Sequence, residues 1–368
     1  MSPQSSLAAE GVLKTNPGRF FEDFRLGEAL VHATPRTLTA GDASLYTALT
    51  GNRFALHSSD DFARSLGYPK APLDDLLVFH TVFGKTVPDV SLNAVANLGY
   101  AEGRFGAPIY PGDTLTATSE VIGLRETSDG KSGVVWVRTR GVNAHHELVL
   151  EYVRWVMVRK REPGRVAVPE ATVPELSEAV PVERLLIPRG LHLQLYDPRL
   201  AGSPHLWDDY AVGEKIDHAD GMTLEEAEHQ TATRLYQNTA KVHFDQLAAD
   251  AGRFGKRIVY GGHVISMARA LSFNGLANAF RIVAIHGGRH TKPTFAGDTL
   301  FAWSEVLAKE ELPGRQDLGL LRILTRATKN SVASDCPALG EDGKAHPDVV
   351  LEFDYSVLIP RRAGLGGT

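Results

Sequence analysis

Two stretches of the chain place apolar residues at helical spacing, one in each half. They predict buried helices over about 73–86 and 261–277. The apolar positions are Leu73, Leu76, Leu77, Phe79 and Phe83 in the first stretch and Val264, Met267, Ala268 and Leu271 in the second. A shorter helix is predicted before each of them, at about 41–50 and 222–236.

Strand-like segments follow the first long helix, at 115–124, 133–142 and 150–158. One buried helix followed by a run of antiparallel strands is an α+β layer architecture. A helix held in a curved antiparallel sheet is the hotdog arrangement. Because the pattern occurs twice, the sequence predicts a double hotdog fold whose two sheets are continuous.

Several blocks of the first half recur in order in the second half. "FEDFRLGE" at 21–28 matches "WDDYAVGE" at 207–214, an offset of 186, and "YPGDTL" at 110–115 matches "FAGDTL" at 295–300, an offset of 185. The last matching block, 149–161 with 350–362, has an offset of 201, so we expect an insertion of about 16 residues within 329–348. The predicted organisation is a first domain over 14–160, a Pro-rich surface linker over 161–200 and a second domain over 201–362.

Composition narrows the class of protein. The hydrophobic share of 43% and charged share of 23% are typical of a soluble globular chain. The net charge is −5 and no basic run stands out, which argues against nucleic-acid binding. The single cysteine, Cys336, excludes an intrachain disulfide, and no Cys/His cluster suggests zinc. The first 21 residues do not resemble a secretory signal and no apolar run could span a membrane, so a cytoplasmic location is expected.

Each half also carries one Asn and one His five positions apart, Asn52 with His57 and Asn238 with His243. The strings "YTALTGNRFALH" and "RLYQNTAKVHF", the latter followed by "IVYGGHVIS", resemble the motif of R-specific enoyl-CoA hydratases, the MaoC-like dehydratases. The resemblance places the family histidine on both histidines and the family catalytic aspartate on both asparagines. It places the family oxyanion glycine on Gly261.

Longer strings, among them "RIVYGGHVISMARALSFNGLANA" and "LVFHTVFGKTVPD", resemble the mesaconyl-CoA hydratases, also called β-methylmalyl-CoA dehydratases, over about residues 14–362. This resemblance implies reversible hydration of mesaconyl-CoA (2-methylfumaryl-CoA) to β-methylmalyl-CoA, in the ethylmalonyl-CoA pathway of acetate assimilation. It implies a CoA-thioester substrate, no metal or other cofactor, and a homo-oligomer.

The chemistry gives these residues roles. A histidine can take a proton from water and return one to the α-carbon near neutral pH, which suits His243. A backbone N–H at a helix start, where Gly261 lies, suits the thioester enolate oxygen. Asn238 cannot act as a base, but its amide can hold a water or the thioester oxygen. The second acid stays open between Asp245, Glu228 and the carboxylate of the substrate.

Further residues are candidates for binding the substrate. They are Gly262 beside the oxyanion glycine; His263, Arg289 and His290 for the free carboxylate; and Lys256 and Arg257 for the CoA phosphates. Arg289 aligns with Arg104 of the first half, so a structural ion pair at both positions is an alternative.

The first half has Asp74 and Asp75 where the glycines would be, so we expect it to be a degenerate copy that shapes the acyl pocket. Three other functions stay open at this point: hydration of another enoyl-CoA, hydrolysis of an acyl-CoA thioester, and binding of acyl-CoA without turnover. Hotdog domains host more than one of these chemistries, and the fold does not decide among them.

Overall fold

The computed structural model describes residues 14–168, 170–333, 338–340 and 343–366. Cys336 and parts of the expected insertion and of the N-terminal segment lie outside the described residues. The strands are β1 Ala29–Val31, β2 Arg36–Thr37, β3 Ala94–Phe105, β4 Thr114–Glu126, β5 Ser132–Val142, β6 Leu148–Arg159, β7 Lys215–Thr223, β8 Arg281–His290, β9 Thr299–Leu312, β10 Arg315–Lys329 and β11 Val349–Pro360. The α-helices are α1 Ala40–Thr50, α2 Ala55–Ser58, α3 Asp60–Ser65, α4 Asp75–Thr86, α5 Pro198–Ala201, α6 Glu226–Leu235, α7 Gln246–Asp250, α8 Gly261–Leu271 and α9 Phe273–Leu276. No helix among these residues is long and apolar enough to cross a membrane.

All eleven strands form one antiparallel sheet in the order β1-β4-β5-β6-β3-β8-β11-β10-β9-β7, with β2 paired to β4. Outward from the central β3–β8 pair, the strands of the first half follow in the order β3-β6-β5-β4-β1 and those of the second half in the order β8-β11-β10-β9-β7. The two halves of the chain therefore have the same strand arrangement, one on each side of the pair. That pair joins the halves through Tyr100 opposite Gly288 and Arg104 opposite Ala284. The predicted double hotdog fold with a continuous sheet is confirmed.

The two long helices pack against this sheet. Every residue of α4 is buried, and only Gly261 of α8 is partly exposed. Apolar side chains from both helices and from both halves of the sheet share one core. At Gly84 of α4, an added Cβ would lie 1.8 Å from the carbonyl oxygen of Tyr236. The helix of the first half therefore packs directly on the backbone that leads to Asn238.

The predicted helices at 41–50 and 73–86 match α1 and α4 closely. The prediction that the helix of the second half continues to residue 277 was wrong, because α8 ends at Leu271. The backbone then leaves helical geometry at Asn274 and Gly275, and Gly275 has a φ of 107°, which a glycine adopts without strain.

The connection between the halves is more deeply packed than a surface linker. Leu185, Leu191, Leu193 and Tyr196 are buried in a second cluster together with residues of α3 and β8. The backbone N–H of Val180 donates to Nδ1 of His286 on β8 over 2.9 Å. The connection therefore packs against β8, one of the two strands that join the halves.

Candidate active site

The Asn–His stretch of the second half begins where α6 ends. Gln237 takes a φ of 53°, which turns the chain out of the helix. Asn238 is buried, and its Oδ1 accepts the backbone N–H of Ala240 over 2.9 Å, forming a tight local turn. The oxygen of this amide is thereby fixed in place. The Nδ2 group is left as the donor that Asn238 can offer to a ligand.

His243 ends the short 3-10 helix Lys241–His243 that follows. Its Nδ1 lies 2.9 Å from the carbonyl oxygen of Ile258, which can only accept, so Nδ1 carries the hydrogen of the neutral ring. Nε2 is then a free base. Burial lowers the pKa of His243 to about 4, so the ring stays neutral near pH 7.

The start of α8 lies beside this histidine, with the rings of His243 and Tyr260 5.5 Å apart. Tyr260 is the N-cap residue and provides no side-chain cap. Within the described part of the chain, the backbone N–H groups of Gly261 and Gly262 have no acceptor. Uncapped amides at a helix start form a donor pair that suits a developing oxyanion.

Both glycines are needed for space as well. A Cβ added at Gly261 would lie 2.5 Å from Nε2 of His290, and one added at Gly262 would lie 2.6 Å from Nδ1 of His80. Gly261 and Gly262 thus let two histidines approach the helix start. One of them, His80, comes from α4 of the first half.

The candidate site is therefore rich in buried neutral histidines. Burial lowers the pKa of His263 and of His290 to about 4 each, and that of His80 well below its usual range. Nε2 of His290 and Nδ1 of His263 are buried without a hydrogen-bond partner among the described residues. Such atoms are costly unless a ligand supplies the missing partner.

Sequence reasoning did not assign His80 a role. Its Nε2 lies 2.9 Å from Oγ of Ser266 on α8, the residue that occupies the same position in the repeat at the offset of 186. The two residues meet where the helices of the two halves cross. Only the alignment of the repeat with itself could have pointed to this pair.

The first half repeats the backbone geometry. Oδ1 of Asn52 accepts the N–H of Phe54 over 2.8 Å, and Nδ1 of His57 lies 3.1 Å from the carbonyl oxygen of Pro72. The helix start differs, because Asp74 is the N-cap residue of α4 and its Oδ1 accepts the N–H of Leu76 over 2.8 Å. Asp74 therefore takes the place of Tyr260, so the prediction that it stands at a glycine position was wrong, and Asp75 alone occupies such a position. The carboxylate of Asp74 therefore accepts from the N–H of Leu76, which corresponds to the N–H of Gly262. In the second half, that N–H is one of the two that have no acceptor among the described residues.

Three of the predicted substrate-binding residues already have partners elsewhere. Arg289 is 57% exposed and its Nε lies 2.5 Å from Oε2 of Glu352, just as Arg104 pairs with Glu151 in the first half. The alternative of a repeated structural ion pair describes both arginines. The remaining two lie in the loop between α7 and α8: Arg257 pairs with Glu226, and Lys256 lies over the ring of Phe295 at 4.3 Å.

The two residues considered for the second acid have surroundings of another kind. Asp245 caps α7 by accepting the N–H of Ala248 over 3.0 Å, and Glu228 is exposed on α6. No group of three or more His, Cys, Asp or Glu side chains within the described ranges could hold a metal ion.

Comparison with known proteins agrees with this architecture. The family model described as mesaconyl-CoA hydratase matches residues 7–331. A β-methylmalyl-CoA dehydratase of Chloroflexus aurantiacus is 64% identical over 349 residues, covering 95% of this chain and 99% of that protein. A mesaconyl-CoA hydratase of Cereibacter sphaeroides is 60% identical over 351 residues, covering 95% and 100%.

Solved structures show the same fold. The crystal structure of a MaoC domain protein from Chloroflexus aurantiacus matches with a TM-score of 0.93 at 64% identity, covering 95% of this chain and 100% of that one. A double hotdog protein of Mycobacterium tuberculosis matches with a TM-score of 0.73 at 24% identity, covering 94% and 99%, which bears on the fold alone. The family model matches most of the length of this chain, and two relatives are at least 60% identical to it. The chain therefore belongs to the mesaconyl-CoA hydratase family.

Proposed function

We propose that the protein catalyses the reversible hydration of mesaconyl-CoA to β-methylmalyl-CoA at the start of α8. The names of two relatives that each match 95% of this chain describe this reaction in its two directions. The observation that carries the site is the free Nε2 of a neutral His243 beside an uncapped helix start. A role in the ethylmalonyl-CoA pathway, a cytoplasmic location and a homo-oligomer stay predictions.

The reaction adds a water oxygen to the β-carbon, which carries the free carboxylate, and a hydrogen to the methyl-bearing α-carbon. Nε2 of His243 takes one proton from the water as its oxygen bonds to the β-carbon. The electron pair of the double bond moves onto the thioester oxygen, where the amides of Gly261 and Gly262 stabilise it. The imidazolium then returns its proton to the α-carbon, so one water has been added and the histidine is neutral again.

Asn238 supports this step without ionising. Since its Oδ1 is held by the turn at Ala240, its Nδ2 is the group that would donate to the water oxygen and orient a lone pair toward the β-carbon. This role explains why an amide can stand where the wider family has a carboxylate. The proton transfer then falls to His243 alone.

The free carboxylate of the substrate is assigned to His290. Its Nε2 is buried, has no hydrogen-bond partner in the described part of the chain and lies beside Gly261, where the acyl chain would enter. A bound carboxylate would favour the protonated ring and raise the pKa of His290 from about 4. Substrate binding would then be accompanied by proton uptake. Lys256, exposed in the loop between α7 and α8, is the candidate for a CoA phosphate.

Substrate choice tests this assignment. Wild type is expected to hydrate mesaconyl-CoA faster than crotonyl-CoA, which lacks the carboxylate, when the loss of the enoyl-thioester absorbance is followed. His290→Asn should raise KM for mesaconyl-CoA about tenfold or more while leaving the crotonyl-CoA rate within a few fold, because it removes a charge-assisted hydrogen bond.

The same assay separates the alternatives. A thioesterase would release a free thiol without loss of the double bond, which a thiol-reactive dye reports. A protein that only binds would retain mesaconyl-CoA on a filter or in calorimetry without turnover. Either result would overturn the proposed hydration.

A further inference from the structure

The first half contains the carboxylate that the Asn–His motif lacks. Nδ2 of Asn52 donates to Oδ2 of Asp74, and that oxygen lies 4.0 Å from Nε2 of His57. Oδ2 of Asp75 lies 3.9 Å from the same nitrogen. The side chains of His57 and both aspartates are almost fully buried. Two carboxylates thus face the one ring nitrogen that the carbonyl of Pro72 leaves free.

The carboxylate beside His57 comes from a different position than the family motif implies. In the motif of the wider family, position 52 would hold the carboxylate, but here it would face Asp74 and the two charges would repel. Asn52 instead donates to that carboxylate, so in this half the carboxylate is supplied by Asp74 and not by position 52. In the second half, the equivalent position 260 holds a tyrosine, so it supplies no carboxylate there.

The space between these groups suits a water molecule. A cavity of about 10 Å³ is lined by Asn52, His57 and Asp74, together with Tyr46. That volume is close to the ~10–15 Å³ that one water needs. A separation of 4.0 Å is too long for a direct hydrogen bond but fits two groups that hold one water between them. The backbone N–H of Asp75, which corresponds to that of Gly261, has no acceptor among the described residues and can stabilise an oxyanion.

We propose that His57 and Asp74 form a second hydration site, specific for 2-enoyl thioesters whose acyl chain carries no free carboxylate. Nε2 of His57 takes a proton from the bridging water as its oxygen bonds to the β-carbon, and the electron pair of the double bond moves to the thioester oxygen. The proton then passes from His57 to the α-carbon, which completes the addition of one water. Asp74 orients the water and stabilises the transient imidazolium.

The charge around His57 sets the specificity. Asp74 and Asp75 would repel a substrate carboxylate. The buried neutral histidines of the second half can instead take up a proton, and the charged ring then attracts the carboxylate. Arg281 lies 3.9 Å from Asp75 and compensates part of its charge. The role differs from the sequence-based expectation that the first half only shapes the acyl pocket, and it rests on the proposed hydration chemistry.

The test uses crotonyl-CoA as the probe in a His243→Ala background, which removes the base of the second half. Crotonyl-CoA hydration is expected to persist there and to fall about 10²-fold or more when Asp74→Asn or His57→Ala is added. The exchanged variant, Asn52→Asp with Asp74→Asn, should restore at least a tenth of the lost rate. It returns the carboxylate to the same hydrogen bond, and asparagine still caps the helix.

A purely structural role of Asp74 predicts no rescue by the exchanged variant. Absence of crotonyl-CoA hydration in the His243→Ala background, or a rate there that does not depend on Asp74 and His57, would overturn the second site. The proposed main function fails separately, if wild type does not hydrate mesaconyl-CoA. Thermal melts of each variant distinguish loss of the carboxylate from loss of the fold.

Discussion

Gly84→Ala tests whether the first half holds the catalytic loop of the second half in place. A Cβ at this position would lie 1.8 Å from the carbonyl oxygen of Tyr236 and 3.0 Å from its carbonyl carbon. Cβ contacts under 3.0 Å essentially do not occur, so the helix and the loop must separate by at least 1.2 Å, the difference between 3.0 and 1.8. The obstacle is backbone, which cannot rotate away as a side chain can.

The magnitude follows from two opposing effects. Overpacking a well-filled core costs about 1–3 kcal/mol, and here the upper end applies because backbone must move. Alanine regains at most about 1 kcal/mol of helix propensity over glycine. We therefore expect a loss of about 2 kcal/mol or slightly more in the free energy of unfolding. A displacement of about 1 Å at Asn238, two residues past Tyr236, should lower the hydration rate about 10²-fold.

Denaturant unfolding and the mesaconyl-CoA assay measure both effects. Gly287→Ala on β8 is the matched control, because a Cβ there meets no atom within 4 Å and its φ is not left-handed. The control should keep wild-type stability within about 0.5 kcal/mol and wild-type activity within a few fold. A Gly84→Ala protein that behaves like this control would refute the close contact between α4 and the catalytic loop.

Three further predictions concern the site. Burial holds the pKa of His243, His263 and His290 near 4, below the unfolded value of about 6.5. Their contribution to the free energy of unfolding is therefore present above pH 6.5 and is lost as the pH falls toward 4, by up to about 3 kcal/mol each. Denaturant midpoints across this range should show the decline, and a flat profile would contradict the burial. Gly261→Ala should lower kcat/KM about 10²-fold or more, because the added Cβ fills the approach to the helix start. Since only the far end of His290 must move, the fold should be retained, and a large loss of thermal stability would contradict a specific effect on catalysis. Arg289→Gln should change KM for mesaconyl-CoA less than about threefold, because this exposed side chain is held in an ion pair. A rise in KM of about tenfold would show instead that Arg289 binds the substrate carboxylate.

The repeat made most of the fold predictable. Helical and strand patterns that occur twice in the same order fix the element types, and the buried length of α4 follows from its apolar positions. The end of α8 was missed because the break at Gly275 depends on a backbone angle, which a tolerated glycine does not reveal in sequence. The packing of Leu185 and Tyr196 was missed because short apolar groups among prolines show no periodicity.

The candidate site was predictable only where spacing alone decides the contact. The placement of His243 beside Gly261 depends on one loop and one helix start, which the motif spacing encodes. The contacts of His80 with Ser266 and of Asn52 with Asp74 depend on how the helices cross and on which side chain fills the N-cap position. Such contacts join distant positions, and a single sequence does not specify them.

The most direct test of the main site is the single-turnover rate of mesaconyl-CoA hydration by His243→Ala, measured at enzyme concentrations above the substrate Kd. A rate lowered by about 10²–10⁴-fold with substrate binding retained is the predicted result, since the base is removed while the helix start and His290 remain. A rate close to that of wild type would contradict the central claim and move the chemistry away from the second half.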